Sequence, residues 1–215
     1  MKNPTLIRLY GILPYDRSAK ARWLLTELGV PFENRWLDGE KKEHESPDFL
    51  RLTPFGRVPV LETDDMVMFE SGAICAYLAD RYLEQGMAPA LSSPHRMEYQ
   101  QWMYFAAATL DPFQIRIMVI EDIPPGEVQT TKQAALVEHL HDAMAALDAT
   151  LAKNDYLVAN RFSAADICVG YHLYWLTLWP ELNSVIETFP RVKAYRERLA
   201  ALPSARKADV FSYQG

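Results

Sequence analysis

The sequence predicts an α+β protein in two parts: a small mixed sheet carrying helices over residues 1–84 and an all-helical bundle over 91–215, with a linker at 85–91. Two observations carry this. Up to residue 84, strand-like and helix-like patterns alternate in the order βαβ, then ββα. After QGMAPAL (85–91) every apolar pattern has helical spacing and no strand signal returns.

In the first part, TLIRLYG (5–11) follows Pro4 and stops at a glycine, as a strand does. SAKARWLLTELG (18–29) puts Ala21, Leu24, Leu25 and Leu28 on one helical face and ends at Gly29, a favoured helix stop. FENRWL (32–37) reads as a second strand, and the polar segment after it holds a short helix near Pro47–Leu52. RVPVLET and MVMFE are two strands around an Asp64-Asp65 turn, and Ser71–Glu84 aligns Ile74, Tyr77, Leu78 and Tyr82 along a helix.

In the second part, Arg96–Ile120, Val128–Lys153 and Ser163–Trp179 are predicted helices, and 189–208 is a fourth that starts near Pro190 and is interrupted at Pro203. Ser163 and Asp166 stand at capping-box spacing in RFSAADICVGYHLYW, which assigns the pair to structure rather than to catalysis.

A composition 49% hydrophobic and 23% charged is that of an ordinary soluble protein. No apolar run approaches the roughly 20 residues of a membrane span, and Met1–Tyr10 lacks the apolar stretch of a signal peptide, so a cytoplasmic location without a membrane partner is expected. Cys75 and Cys168 sit inside apolar helical patterns, as buried free thiols do, and no metal-ligand spacing occurs. A net charge of −6 argues against a nucleic-acid partner, which needs a basic face.

The stretch FGRVPVLETDDMVMFES (55–71) carries the chemistry. Pro59 has no amide hydrogen, so it must stand at a strand start, an edge, a bulge or a cis turn. Each choice leaves backbone groups unpaired beside the apolar Val58, Val60 and Leu61, and a bound peptide is one partner for them. Glu70-Ser71 then opens a helix, where Ser71 suits an N-cap and the helix dipole favours an anion.

In their joint order, the βαβ-ββα part, HESPDFLRLTPFGRVPVL, the FES helix start, the linker and RFSAADI resemble the cytosolic glutathione transferase family over nearly the whole chain. The resemblance implies a thioredoxin-like first domain with Pro59 in the cis form and glutathione as co-substrate, without a metal. Val58 would pair its N–H and C=O with the cysteinyl part of the tripeptide as one more strand would. Glu70 would meet the γ-glutamyl ammonium, and Ser71 the neighbouring carboxylate. For the glycyl carboxylate, His44 matches a histidine frequent in the family, and Lys41, Lys42 and Arg57 compete with it.

A glutathione thiol behaves like free cysteine, with a pKa near 8.5, and attacks as the thiolate. Lowering that pKa by about two units takes about 2.7 kcal/mol of preference for the anion. Serine- and cysteine-type members place the responsible residue three positions before the one matched by Ser18, where this chain has Tyr15. Tyr10 stands where tyrosine-type members carry theirs, and Ser18, Arg17 and backbone amides are further candidates. Asp16 favours helix capping but opposes a nearby thiolate. No cysteine precedes Cys75, so a glutaredoxin-type cysteine at the first helix is excluded.

The electrophile, a small hydrophobic molecule, is expected between the domains, against Trp102, Tyr104, Phe105, Thr109 and Phe113, with Tyr171, Tyr174 and Trp175 closing from the third helix. The resemblance thus implies a detoxifying, homodimeric transferase. A ligand-binding or regulatory scaffold with little catalysis, and a glutathione-dependent isomerase or peroxidase, are the alternatives.

Overall fold

Strands β1 (Arg8–Gly11), β2 (Glu33–Trp36), β3 (Val60–Glu62) and β4 (Val67–Phe69) form one sheet in the order β2-β1-β3-β4, in a computed structural model that describes residues 6–211. Thr5, the expected start of the first strand, lies outside the described residues. β1 and β2 are parallel and therefore need a crossover, which is helix α1 (Ser18–Glu27). β3 runs antiparallel to both neighbours, and its hairpin to β4 closes where the Thr63 amide donates to the Met66 carbonyl at 2.8 Å. Leu9, Val60 and Leu61 of the two central strands are buried together with Trp23, Leu24 and Leu25 of α1 and Ile74 and Leu78 of α3 (Ser71–Arg81). A short helix α2 (Pro47–Leu50) starts where the Phe49 amide donates to the Ser46 hydroxyl at 3.3 Å.

The chain divides into two compact units. One runs to Ala88 and takes up the chain again from Leu202, while the other holds Pro89–Ala201. The return of the C-terminal segment to the sheet unit has no signal in the sequence beyond Pro203, which ends one helix and starts α10 (Pro203–Lys207). There Trp23 Nε1 donates to the Ser204 hydroxyl at 3.0 Å, and the Trp23 and Phe211 rings meet edge to face at 5.4 Å.

The helical unit contains α4 (Arg96–Tyr104), α5 (Asp111–Glu121), α6 (Glu127–Leu151), α7 (Ala164–Leu176), α8 (Pro180–Glu187) and α9 (Pro190–Ala201). The single helix expected over 96–120 is divided by a π-helical stretch, Phe105–Leu110. Pro112 supplies the reason: it has no amide to give the preceding turn and its ring crowds the carbonyl four residues back, so the helix widens there. The helix expected to reach Trp179 stops at Leu176, because the residue before Pro180 is driven to extended backbone and Pro180 then opens α8. α7 approaches α9 at Gly170, where a Cβ would lie 2.4 Å from Leu199 Cδ1. Among the described residues no helix is long and apolar enough to cross a membrane, and Cys75 and Cys168 are buried and form no disulfide.

Asp166 organises this unit. Its carboxylate closes the expected capping box, accepting from the Ser163 amide and hydroxyl, each at 2.9 Å. It also accepts from the Leu157 amide at 2.9 Å and from the Tyr195 hydroxyl of α9 at 2.8 Å. Burial raises its pKa from the ordinary 3.8 to about 6, against the opposing pull of these donors. The folded chain therefore keeps this proton to a higher pH than the unfolded chain does, and the resulting stability is present below pH 3.8 and lost as pH rises through about 6.

In urea unfolding, Asp166→Ala is expected to cost about 3 kcal/mol or more, since it strands four donors at once. Asp166→Asn is expected to abolish the fall in stability that this carboxyl contributes between about pH 4 and 6, seen as the difference between the two stability-against-pH curves.

Candidate functional site

Strand pairing brings the candidate residues to one end of the sheet. Val60 faces Tyr10 of β1 and Phe69 of β4, so one step further along Pro59 comes level with Gly11 on one side and Glu70 on the other. Gly11 is also level with Trp36, and the Leu37 amide donates to the Gly11 carbonyl at 2.8 Å, which sends the segment carrying Lys41, Lys42 and His44 from the same end. The Val58–Pro59 bond is cis, Pro59 is buried, and β3 pairing begins only at Val60. Among the described residues Val58 makes no backbone hydrogen bond.

Glu70 has φ 70° and ψ 106°, a conformation costly for a residue with a Cβ, directly before α3. Its carbonyl receives the Ile74 amide at 2.9 Å, no side chain caps the helix, and its own side chain is exposed beside the largely buried Ser71. A carboxylate, a hydroxyl and the positive end of a helix thus stand together, as a zwitterionic ligand group requires.

His44 lies on a short 3-10 turn, Glu43–Glu45, with a buried Nδ1 that finds no hydrogen-bond partner among the described residues. The turn rests against Gly56, whose φ is +57° and where a Cβ would come within 2.9 Å of the His44 carbonyl oxygen. Lys41 is engaged with Asp38 at 2.8 Å and Lys42 with Glu45 at 3.6 Å, both exposed, whereas Arg57 has no ion-pair partner among the described residues.

The hydroxyl candidates separate by what they already touch. Tyr10 donates to the Glu62 carboxylate at 2.7 Å, and burial together with that bond raises its pKa to about 12. Ser18 is 1% exposed, and its hydroxyl lies under Gly11 and accepts from Arg22 at 3.3 Å. Tyr15 is half-buried in the turn between β1 and α1. Asp16 shapes that turn: its carboxylate accepts from the Ile12 and Leu13 amides at 2.7 and 2.8 Å and from the Ser18 amide at 2.7 Å. The first amide of α1 is therefore occupied by a carboxylate.

In the helical unit Tyr104 is 72% exposed, Phe105, Thr109, Tyr174 and Trp175 are half-buried, and Trp102, Phe113 and Tyr171 are buried and offer no open surface.

The pattern described as glutathione S-transferase, N-terminal domain, matches residues 6–80, and the corresponding C-terminal domain matches 130–198. Glutathione S-transferase 3 of Zea mays is 30% identical over 94% of this chain and 92% of its own. The chain belongs to the glutathione S-transferase family. The crystal structure of glutathione transferase F7 from Populus trichocarpa superposes with a TM-score of 0.83 at 26% identity, covering 97% of this chain and 100% of that one. Another relative carries a different name: elongation factor 1-gamma 3 of Oryza sativa subsp. japonica is 29% identical over 76% of this chain and 39% of its own.

In this glutathione S-transferase the sequence left two residues of the site unnoticed. Gly56 supports the His44 turn, and its signal was a glycine next to TPF that only a positive φ explains. Arg22 is 5% exposed, and its signal was a charge inside the apolar run ARWLL.

Gly56→Ala is expected to destabilise the transferase by about 1–2 kcal/mol through the left-handed backbone alone. The displaced His44 turn should also weaken glutathione binding, measured by calorimetric titration beside a thermal melt.

Proposed function

We propose that this transferase holds glutathione along the backbone of Val58, turns its thiol into thiolate with the Tyr15 hydroxyl, and adds the sulfur to a small hydrophobic electrophile. The observation that carries the reading is the meeting, at one sheet end, of an unpaired Val58 backbone, the Glu70 carboxylate and an uncapped helix start at Ser71. In this reading Val58 pairs with the cysteinyl peptide, Glu70 takes the γ-glutamyl ammonium, and Ser71 with the α3 amides takes its carboxylate. Arg57, exposed and without an ion-pair partner among the described residues, is assigned to the glycyl carboxylate together with His44, whose Nε2 lies 3.7 Å from Glu45 but whose buried Nδ1 has no hydrogen-bond partner there.

Tyr15 is assigned this role because it stands in the turn before α1, three positions ahead of Ser18, where serine- and cysteine-type members place the thiol-activating residue; Tyr10 already gives its O–H to Glu62, and Ser18 is 1% exposed beneath Gly11. The thiol gives up its proton to water, and the Tyr15 O–H donates a hydrogen bond to the sulfur that stabilises the anion left behind. The thiolate forms a bond to an electrophilic carbon; where the substrate carries a leaving group, that group departs with the electrons of the bond it breaks, and where it carries an activated double bond, the displaced electron pair takes a proton from water. Tyr104, Phe105, Thr109 and Trp175 have surface to offer the electrophile. A cytoplasmic detoxifying role and a homodimer accompany the reading. The exposed Phe55 and Phe69 of one unit and Ile115, Met118 and Val119 of the other support the dimer.

A second reading, a glutathione-binding scaffold with little catalysis, is favoured by the likeness to the relative named elongation factor 1-gamma 3.

Titrating the protein with glutathione while following thiolate absorbance separates the two readings. Binding with ionisation at neutral pH is the expected result, binding without ionisation supports the scaffold, and absence of binding removes both. Tyr15→Phe is expected to lower the ionised fraction about tenfold or more, whereas Tyr10→Phe leaves it unchanged. Glu70→Gly relaxes the positive φ and keeps the fold, yet is expected to weaken glutathione binding about tenfold.

A further inference from the structure

Arg22 of α1 is almost wholly buried, and its guanidinium is divided among three parts of one unit. Nε donates to the Ala208 carbonyl at 2.7 Å, Nη1 to the Ser18 hydroxyl at 3.3 Å, and Nη2 to the Pro14 carbonyl. Its face lies over the Trp36 ring, 5.2 Å from the centroid. Pro14 is the residue before Tyr15, so the donor to its carbonyl fixes the peptide from which that side chain departs. Ala208 belongs to the C-terminal segment that returns to this unit, anchored by the Ser204 and Phe211 contacts to Trp23, the next residue on α1.

The loop 12–17 is thus held from two sides. Asp16 gathers the Ile12, Leu13 and Ser18 amides from within, and Arg22 ties the Pro14 carbonyl to the α1 helix and the tail from without. The planar fork of arginine reaches several acceptors in fixed directions at once, which the single ammonium of lysine does not.

We infer that Arg22 is a positioning residue through which the C-terminal segment 203–211 holds loop 12–17, and with it the group that ionises bound glutathione. The inference rests on the proposed function for the last of these links only. It separates two properties that a general loss of structure would change together: ionisation of the bound thiol depends on Arg22 and the tail, whereas affinity depends on Val58, Glu70 and Ser71 at the neighbouring strand ends.

The test uses the full-length protein, Arg22→Lys, Arg22→Met and the tail pair Ser204→Ala with Phe211→Ala. Amide hydrogen exchange at Ile12, Leu13 and Ser18 is read without ligand, and the pH dependence of thiolate absorbance is read with glutathione bound. Expected is exchange faster by about tenfold at those three amides in Arg22→Lys, and faster by less in the tail pair, with the amides of α3 unchanged. The bound thiol should ionise about one pH unit higher, with the affinity for the protonated peptide, measured below that pKa, unchanged. Wild-type exchange in Arg22→Lys, or in the tail pair, overturns the proposal. So does faster exchange throughout the unit with affinity lost in parallel, which marks a merely structural residue. Should Arg22→Met not fold, Arg22→Lys and the tail pair still decide. A wild-type protein that binds no glutathione, or binds it without ionisation, ends the proposed function, and the exchange rates alone then judge whether Arg22 and the tail hold the loop.

Discussion

β3 is paired on both sides, Val60 to Tyr10 and Val60 to Phe69, and the site follows from that double pairing. Because antiparallel register is set residue by residue, fixing Val60 fixes what stands one step beyond it. Pro59 then cannot extend the ladder, having no amide to give, and the pairing stops with Gly11 on one flank and Glu70 on the other. Unpaired backbone, a carboxylate and a helix start collect at one place because one strand ends early between two others. No long-range side-chain interaction is needed to assemble them.

What distinguishes the candidate groups at that place is prior commitment. A polar group already satisfied inside the protein must break a hydrogen bond before serving a ligand, and a buried donor left unpaired costs about 1–3 kcal/mol. By that measure Tyr10, whose O–H is given to Glu62, is a poor donor to a sulfur, and Ser18, 1% exposed beneath Gly11, is out of a ligand's reach. Lys41 and Lys42 lie beside Asp38 and Glu45, and His44 Nε2 also lies 3.7 Å from Glu45, but His44 keeps a buried Nδ1 without a hydrogen-bond partner among the described residues.

The sequence made the mixed sheet, the helical part, the capping box and the strand-end residues legible, because each rests on local signals: period, glycine and proline punctuation, and a three-residue capping spacing. Long-range choices were not legible. Nothing in LYGILPYDRS tells that Tyr10 meets Glu62, which pairing across β1 and β3 decides, or that Asp16 captures three amides. The division of the helix at 105–110 was overlooked because apolar period survives a π turn, although Pro112 was there to read. α8 falls between the helices expected over 163–179 and 189–208 and belongs to neither, and Leu178 and Trp179 carry the apolar pattern of α7 past its end. The return of the chain at Pro203 depends on contacts with α1, for which no periodicity exists.

The two halves of the site are held by different forces, and this bears on how one fold serves as enzyme or as scaffold. The edge at Val58, Glu70 and Ser71, the proposed peptide-binding half, is fixed by the main-chain ladder, which is insensitive to most side-chain changes. The turn at 12–17 is fixed by side chains, Asp16 and Arg22, and by a tail that comes from the far end of the chain. In the proposed reading, substitutions in the second set loosen the ionising group while the peptide-binding edge persists, which makes affinity for a small thiol peptide and chemistry upon it separable. In this chain both brackets of the turn are in place, and that is a physical ground for favouring the enzyme over the scaffold.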